Sequence, residues 1–351
     1  MSQRCFQDDP GEEQDLILFE AKDLTKTYGK RTVLDLPYFS LDEGAVYCLQ
    51  GPNGSGKTTL LEILSFLLPP TTGDIFYKGR KIDSNIVRLT DLRREIVLVP
   101  QNPVLFSRTV YGNVEVGLKI RGIQAEQRDV RIRECLDIVN MLDLANAHVR
   151  GLSGGEVQRT AIAMGLACSP KVIFFDEPTS NLDSMSRKAI ERIIKSINEL
   201  DGITVVFTTH DAEQAFRLAG SVIALHEGRL VNSAFGNIFN GLVTDDSVDR
   251  KICLVENMVR LRVDTPKAGP VSVCISPTDL RIVNDPGASA VENLLKGTIT
   301  RISNEGEMVL ITLDLGFPLN VALPQENIVL STLCLGRELH VLCPSSSIQI
   351  L

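Results

Sequence analysis

Apolar residues follow two different patterns along the 351 residues of the chain. From residue 17 to about residue 240, short apolar runs typical of buried strands alternate with stretches in which apolar residues recur at helical spacing. The clearest strands are predicted at 45–50, 172–175 and 204–209, and a helix follows the first of them at 59–67. Runs that are apolar throughout suit parallel strands buried on both faces. The alternation therefore predicts an α/β domain with a parallel sheet over residues 16–244.

A helical insert is predicted within this domain. Residues 114–144 carry apolar side chains at helical spacing among many charges, with Ile132, Leu136, Val139, Met141 and Leu142 on one stripe. We expect this stripe to pack in a core. The helical subdomain is predicted to span about residues 102–168.

After about residue 245 the pattern changes to short β-rich runs, at 271–275, 296–302, 308–313 and 338–343. Turns containing Gly, Pro, Asn or Asp separate these runs. This spacing predicts a small all-β, OB-like domain over residues 245–351. Residues 1–15 are acidic and polar and are predicted to form a flexible N-terminus without a signal peptide.

Composition narrows the class of protein. Hydrophobic residues make up 44% of the chain, yet no apolar run approaches the roughly 18 residues that a membrane span requires. The eight cysteines are scattered without a C-x-x-C pair, which argues against a metal site made of cysteines. It also favours free thiols in a reducing cytosol. The formal net charge of -8 argues against a nucleic-acid partner. We therefore expect a soluble intracellular protein.

A glycine-rich motif, G-x-x-x-x-G-K-T, occupies residues 51–58 at a predicted strand-to-helix turn. Since glycine lacks a Cβ, the N–H groups of this loop can converge on phosphate oxygens, and the helix points its positive end at the same anion. Lys57 is predicted to reach the β and γ phosphates of ATP, and the Thr58 hydroxyl to ligate Mg²⁺. The predicted ATP-binding residues of this loop are Gly51, Asn53, Gly54, Ser55, Gly56, Lys57, Thr58 and Thr59.

Two carboxylates follow the predicted strand at 172–175. Asp176 is predicted to hold Mg²⁺ through water, and Glu177 to orient or deprotonate the attacking water. His210 follows the strand at 204–209, a position where a histidine by itself is more often structural. The pair of carboxylates predicts phosphoryl-transfer chemistry.

A run of L-S-G-G-E-V-Q-R at residues 152–159 lies between the phosphate motif and the two carboxylates. P-T-S-N-L-D at 178–183 and T-T-H-D at 208–211 come after them. In this order the motifs resemble those of the ATP-binding subunits of ABC transporters. The resemblance implies a P-loop ATPase fold with a helical subdomain, and ATP and Mg²⁺ as cofactors.

The resemblance also implies roles for single residues. Tyr28 is implied to stack on adenine, Gln101 to contact Mg²⁺ and the catalytic water, and His210 to contact the γ-phosphate. The implied catalytic residues are thus Glu177, His210 and Gln101, and the implied metal residues are Thr58, Gln101 and Asp176. Ser153, Gly154, Gly155 and Glu156, at the start of a helix, are implied to bind the γ-phosphate of ATP held by the opposite subunit. One such run and one phosphate loop per chain imply a homodimer that closes on two ATP molecules and opens on hydrolysis.

The runs at 64–73, 102–111, 276–280 and 293–299 are similar to those of tungstate and molybdate importer ATPases. This similarity implies a peripheral position on the cytoplasmic face of the membrane, transmembrane permease subunits that contact residues near 102–111, and an extracytoplasmic binding protein. It also implies a C-terminal domain of the TOBE or molbindin type that senses oxyanion. The donors expected for that oxyanion are Ser345, Ser346, Asn293 and Lys296.

Several alternatives fit the same motifs. An importer of phosphate, sulfate, sugar or polyamine would keep the nucleotide motifs and differ in its partners. A non-transport ABC ATPase would keep them too, but it would be expected to carry a second ATPase domain or a long coiled coil. The C-terminal domain could also serve only to hold two subunits together. The helix after residue 153 departs from the family pattern at Met164 and Gly165. At position 165, glycine destabilises a helix by about 1 kcal/mol relative to alanine.

Overall fold

A computed structural model describes residues 17–82, 89–231, 237–245, 251–283, 293–305, 308–325 and 333–350. The predicted flexible N-terminus, residues 1–15, lies outside the described residues. The strands of the first two thirds are β1 Ile17–Tyr28, β2 Arg31–Asp42, β3 Val46–Gln50, β4 Thr72–Tyr77, β5 Arg80–Lys81, β6 Ile96–Val99, β7 Val172–Phe175, β8 Thr204–Thr209, β9 Ser221–His226 and β10 Arg229–Val231. The helices are α1 Lys57–Leu64, α2 Leu89–Glu95, α3 Val110–Ile120, α4 Ala125–Ile138, α5 Gly154–Ala167, α6 Ser184–Asp201 and α7 Ala212–Leu218.

The central sheet has six strands in the order β10-β9-β3-β8-β7-β6. All its pairs are parallel except β10 with β9, which are antiparallel. β7 and β8 are buried at every position, because helices or a second sheet cover both faces. The predicted parallel α/β core is therefore present, and the carboxyl ends of β3, β7 and β8 meet at one edge.

Each face of the central sheet has its own apolar core. A four-stranded antiparallel sheet, in the order β2-β1-β4-β5, packs with α1 over one face. The helical subdomain of α3, α4 and α5 packs over the other face together with α6. Four residues of the predicted stripe, Ile132, Leu136, Val139 and Met141, are buried in this second core. The prediction was wrong for Leu142, which is 39% exposed, because α4 ends at Ile138 and Leu142 begins a separate 3-10 helix.

The last part of the chain is all-β, as predicted. Its strands are β11 Ile238–Asp245, β12 Lys251–Val255, β13 Val259–Val263, β14 Gly269–Ile275, β15 Arg281–Val283, β16 Asn293–Glu305, β17 Met308–Asp314, β18 Pro318–Pro324, β19 Glu338–Cys343 and β20 Ile348–Ile350. They form two five-stranded sheets, β13-β12-β11-β14-β20 and β15-β19-β16-β17-β18, with one shared core.

The boundary between the two domains lies earlier than the predicted residues 244 and 245. β11, which the sequence placed at the end of the α/β domain, pairs with β12 and β14 of the C-terminal domain. β10 ends at Val231 in the central sheet, so the change of domain falls between Val231 and Ile238. The physical cause of this error is that the alternation of apolar and polar residues along a strand does not depend on which sheet the strand joins.

Gly165 in α5 has a packing reason that the sequence did not show. A Cβ at this position would lie 2.9 Å from Cγ1 of Val97, which is in β6. Glycine therefore lets α5 approach the central sheet closely. This close packing against the sheet offsets the lower helix propensity of glycine.

We expect Gly165→Ala to lower the free energy of unfolding by about 1 kcal/mol. Overpacking against the stiff Val97 side chain costs about 1–3 kcal/mol, which exceeds the gain of about 1 kcal/mol in helix propensity. Urea unfolding measures the change. In a Val97→Ala background the same substitution should become neutral or stabilising, and a loss that persists there would contradict this explanation.

Within the described residues, no helix is both long and apolar enough to cross a membrane.

Candidate nucleotide site

The glycine-rich loop follows β3 and leads into α1, as predicted. Gly54 and Gly56 have φ values of 80° and 103°, in the left-handed region that favours glycine. A Cβ on Gly56 would lie 2.8 Å from the carbonyl oxygen of Val33, and one on Gly51 would overlap the carbonyl oxygen of Leu225. The loop is therefore shaped as a backbone cradle that only glycine permits.

Lys57 lies at the start of α1 and is buried, with 6% of its surface exposed. Its Nζ donates hydrogen bonds to the carbonyl oxygens of Gly51 at 2.8 Å and Pro52 at 3.0 Å. Burial lowers the pKa of this ammonium, while the negative charges of Glu177 and Asp176 oppose that effect. Nearby, the buried Ser55 hydroxyl has no hydrogen-bond partner among the described residues. A buried cation beside an unsatisfied hydroxyl fits the phosphates of a nucleotide.

Asp176 lies at the carboxyl end of β7 and is held by two hydroxyl groups. Thr58 donates a hydrogen bond of 2.7 Å to its Oδ2, and Thr208 donates one of 2.8 Å to its Oδ1. The Thr208 hydroxyl also accepts a hydrogen bond of 2.7 Å from the backbone N–H of Glu177. The carboxylate and the Thr58 hydroxyl are hard oxygen ligands of the kind that Mg²⁺ takes. The predicted metal residues Thr58 and Asp176 are therefore in direct contact.

Thr208→Val is expected to lower both stability and ATP turnover. Thr208 is fully buried, and its loss leaves Asp176 and the Glu177 N–H each short of one partner, at a cost of about 1–3 kcal/mol. ATP turnover should fall about tenfold or more, because Glu177 loses the bond that fixes its backbone. Thermal unfolding and a steady-state ATPase assay measure the two effects.

Thr204→Val is the matched control for Thr208→Val. Thr204 lies in the same strand, is equally buried, and accepts a hydrogen bond of 2.8 Å from the Gly44 N–H, away from the nucleotide site. This control should lose stability and keep its turnover when it is assayed well below its melting temperature. Equal losses of turnover in the two variants would contradict a specific role for Thr208.

Glu177 is presented in an unusual backbone conformation. Its φ of 42° is left-handed, which is uncommon for a residue other than glycine and often marks a functional site. The amide of Gln101 donates a hydrogen bond of 3.3 Å to its Oε2 and one of 3.1 Å to the Ser180 hydroxyl. Nδ1 of His210 lies 3.7 Å from its Oε1. The structure thus brings together all three residues expected to be catalytic.

A cavity of about 460 Å³ collects most of the predicted ATP-binding residues. It is lined by Tyr28, Asn53, Gly54, Gly56, Lys57, Thr58, Thr59, Gln101, Asp176 and Glu177, and also by Arg31 and Val33. Tyr28 is half exposed at the end of β1, and Nζ of Lys26 lies over its ring, 5.2 Å from the centroid, so a base would stack on the other face. Gly51 and His210 line a neighbouring cavity.

Sequence reasoning missed four residues of this site: Arg31, Val33, Ser180 and Thr208. Arg31 could have been found as a cation three residues after Tyr28. The hydroxyl of Ser180 donates a hydrogen bond of 2.9 Å to the carbonyl oxygen of Glu177. This bond closes a local turn that the sequence did not predict. Thr208 looks from sequence like any other residue of a buried strand.

The predicted γ-phosphate residues of α5 do not line the cavity of their own chain. Both the N–H and the hydroxyl of Ser153 donate hydrogen bonds of 2.8 Å to Glu156 Oε2. These bonds lower the pKa of the Glu156 carboxyl and cap the helix. Gly155 is buried under Ser186, where a Cβ would overlap the serine hydroxyl. Gly154 has room for a Cβ, at 3.5 Å from the nearest atom of Leu182.

The four residues expected to bind oxyanion do not form one site. The Asn293 amide is buried and holds strands together, through bonds to the backbone of Arg262 at 2.6 and 3.0 Å and to the Cys343 carbonyl at 3.2 Å. Lys296 lies on the opposite, exposed face of β16 and pairs with Glu338 at 2.8 Å. Since side chains alternate along a strand, residues three apart face opposite ways. Ser345 bonds to the Arg262 carbonyl at 3.3 Å, and Ser346 is exposed, so the expected oxyanion site is not assembled from these four.

Comparison with known proteins identifies the family. The family of sequences described as ABC transporter matches residues 34–180. A molybdate/tungstate import ATP-binding protein of Pyrococcus horikoshii is 30% identical over 314 residues, which cover 85% of this chain and 89% of that protein. The chain belongs to the ATP-binding proteins of ABC transporters. Its family resemblance, P-loop fold and cofactors, ATP and Mg²⁺, are thereby confirmed.

Other ABC proteins are more similar over a shorter length. Ferric-ion import ATP-binding proteins of Pasteurella multocida and Haemophilus influenzae are 37% and 36% identical over 214 residues. Each match covers 61% of this chain but only 60% and 64% of the relative, so the chain spans less than two thirds of these proteins. The similarity to the ferric-ion proteins therefore bears mainly on the ABC cassette, the α/β domain described above.

Solved ABC structures match the same cassette. A dimeric cassette, MJ0796, in a post-hydrolysis state bound to ADP and Pi, is 35% identical with a TM-score of 0.55, and the match covers 61% of this chain and 96% of that one. The cbiO1 protein of Clostridium perfringens, part of an ABC transporter complex, is 29% identical with a TM-score of 0.58, over 61% of this chain and 87% of that one. Of these two structures, that of MJ0796 is described as dimeric.

Proposed function

We propose that this chain is the ATP-hydrolysing subunit of an ABC importer. The observation that supports this most is the position of Glu177, which contacts Gln101, lies 3.7 Å from His210 and lines the same cavity as the phosphate loop. A carboxylate fixed there can orient and deprotonate a water for attack on a terminal phosphate. The relatives are named as import ATP-binding proteins, which supports coupling of that hydrolysis to transport.

Each residue of the site has a separate part in the proposed reaction. The glycine loop and Lys57 bind the phosphates, and Tyr28 stacks on the base. Mg²⁺, when bound by Thr58 and Asp176, would neutralise charge on the phosphate oxygens.

Glu177 takes the proton of the attacking water, while Gln101 and His210 hold the Glu177 carboxylate in position. Thr208 fixes both carboxylates through Asp176 and the Glu177 backbone.

We further propose that two copies form the active unit. The Ser153 to Glu156 segment does not line the cavity of its own chain, although its glycine N–H groups suit an anion. A head-to-tail pair of copies would bring this segment to the phosphates of the opposite subunit. The dimeric cassette among the structural relatives supports such an arrangement.

The imported solute is proposed to be ferric ion. Support comes from the ferric-ion import proteins, which are 37% and 36% identical over 214 residues, against 30% over 314 residues for the molybdate/tungstate protein. Molybdate or tungstate is the second candidate, because the match to the Pyrococcus horikoshii protein extends over 85% of the chain and so includes C-terminal residues. The solute is selected by other subunits, so the residues of the cassette do not identify it directly.

The importer proposal is tested by purifying the chain with its permease and binding protein and placing the complex in lipid vesicles. ATP-dependent uptake is then measured in parallel for radioactive iron, molybdate and tungstate. Uptake of iron alone would support the first candidate, and uptake of an oxyanion alone would support the second. A Glu177→Gln complex is the control and should take up neither. Failure of any membrane protein to bind the chain would contradict the transport function.

A further inference from the structure

A basic cleft lies between α6, α7 and the C-terminal domain, outside the nucleotide site. Its volume is about 600 Å³, which is the size of a small-molecule site. Six cationic side chains line it, namely Arg187, Lys188, Arg192, Lys195, Arg217 and Arg301, together with the carboxylates of Glu191 and Asp211. The lining of the cleft is therefore net positive, whereas the chain as a whole has a formal net charge of -8.

The two carboxylates of the cleft already have cationic partners. Arg217 Nη2 lies 2.7 Å from Glu191 Oε1, and Arg187 Nη1 lies 3.6 Å from Asp211 Oδ2. These pairs account for two of the six cations. The other four lining cations are three on α6 and Arg301 of the C-terminal domain.

Three of those four, Lys188, Arg192 and Lys195, lie on the exposed side of α6 and form no ion pair with any described residue. Lys188, Arg192 and Lys195 follow one another at spacings of four and three residues, and like charges at these spacings repel each other. An anion bound among them would reduce this repulsion.

The C-terminal domain contributes the fourth cation. Arg301 lies on β16 and is exposed at the edge of the cleft. On α6, Nε of Arg187 is buried and has no hydrogen-bond partner among the described residues. Guanidinium groups present their donors in a planar fork that matches phosphate oxygens. The donors of the cleft thus come from two domains and suit phosphate.

We propose that the basic cleft binds a small, multiply charged, phosphate-bearing anion that bridges α6 of the cassette to Arg301 of the C-terminal domain. The volume exceeds that of a single inorganic phosphate, and the cations are spread over nearly two turns of α6. A ligand with at least two phosphoryl groups fills this distribution. A singly charged anion does not.

The site has a physical route to the catalytic residues. Glu191 Oε1 also accepts a hydrogen bond of 3.0 Å from the Gln214 amide, which donates one of 2.8 Å to the Thr179 hydroxyl. Thr179 follows Glu177 by two residues, and Asp211 is adjacent to His210. A ligand that competes for Arg217 and Arg187 would act on the bonds that position both segments.

The test is calorimetric titration with pyrophosphate in magnesium-free buffer at constant ionic strength. The full chain carries Lys57→Ala, so that the phosphate loop does not compete for the probe. We expect one binding event, weakened about tenfold or more by Lys188→Glu and likewise by Arg301→Glu. Hydrogen exchange should slow in residues 184–195 when pyrophosphate binds, which locates the event on α6.

Arg260→Glu is the matched control. Arg260 is also an exposed arginine on a strand of the C-terminal domain, but it does not line the cleft. Its reversal should leave the affinity unchanged. The proposal is overturned by absence of binding, by equal weakening in Arg260→Glu, or by protection of the phosphate loop in place of α6. Weakening in Lys188→Glu without weakening in Arg301→Glu would overturn the bridge between the domains. None of these outcomes depends on the transport function.

Discussion

Replacement of Glu177 by glutamine is expected to lower ATP turnover by about 10²–10⁴-fold while ATP still binds. Glutamine keeps the shape of the side chain and its contact with Gln101, but it cannot accept a proton from water. The bound nucleotide then persists, and an ATP-bound dimer should accumulate. Steady-state turnover, nucleotide binding and the elution volume on size exclusion measure the three effects.

Glu227→Gln is the control for the Glu177 substitution. Glu227 is an exposed glutamate that also has a left-handed backbone, with a φ of 45°. It lies in the turn between β9 and β10 and does not line the nucleotide cavity. Its turnover should match that of the parent. Parent-like turnover in Glu177→Gln itself would show that another group activates the water.

Replacement of Lys57 by alanine is expected to weaken ATP binding by about 100-fold. Hydrogen bonds to a charged group contribute about 1.5–3 kcal/mol each, and about 1.4 kcal/mol corresponds to a factor of ten in affinity. The Lys57 ammonium also donates to the carbonyl oxygens of Gly51 and Pro52, so its loss leaves the loop less ordered. Titration with ATP and Mg²⁺ measures the affinity, and thermal unfolding measures the effect on the loop.

The control for Lys57 is Lys171→Ala. Lys171 is an exposed lysine immediately before β7 and does not line the nucleotide cavity. Its ATP affinity should equal that of the parent. An unchanged affinity in Lys57→Ala would refute the phosphate-loop assignment, whatever the effect on turnover.

The phosphate loop and its neighbours could be predicted well, because their chemistry depends on local spacing. The glycines, Lys57 and Thr58 lie within eight residues, so the contacts that make the cradle are short in sequence. Asp176 could be predicted for a similar reason, since it directly follows a strand that is apolar throughout. The structure places Thr58 and Asp176 in hydrogen-bond contact.

Thr208 could not be predicted in the same way. β7 and β8 are parallel neighbours with Phe175 opposite Phe207, and this register brings Thr208 beside Asp176. The two residues are 32 positions apart, and nothing in either strand specifies the register. Asn293 illustrates the opposite error, because an amide that looked available for a ligand is used to hold backbone together.

The sequence by itself determined the family and the cofactors, and it predicted which residues contact phosphate and which act in catalysis. Those depend on residue types at short, fixed spacing, where the backbone geometry of one turn decides the chemistry. Only the tertiary structure decided that β11 belongs to the C-terminal domain, that Thr208 supports the carboxylates, and that α6 and Arg301 share a basic cleft. These features depend on strand register and on the packing of distant segments, which a period of apolar residues does not specify.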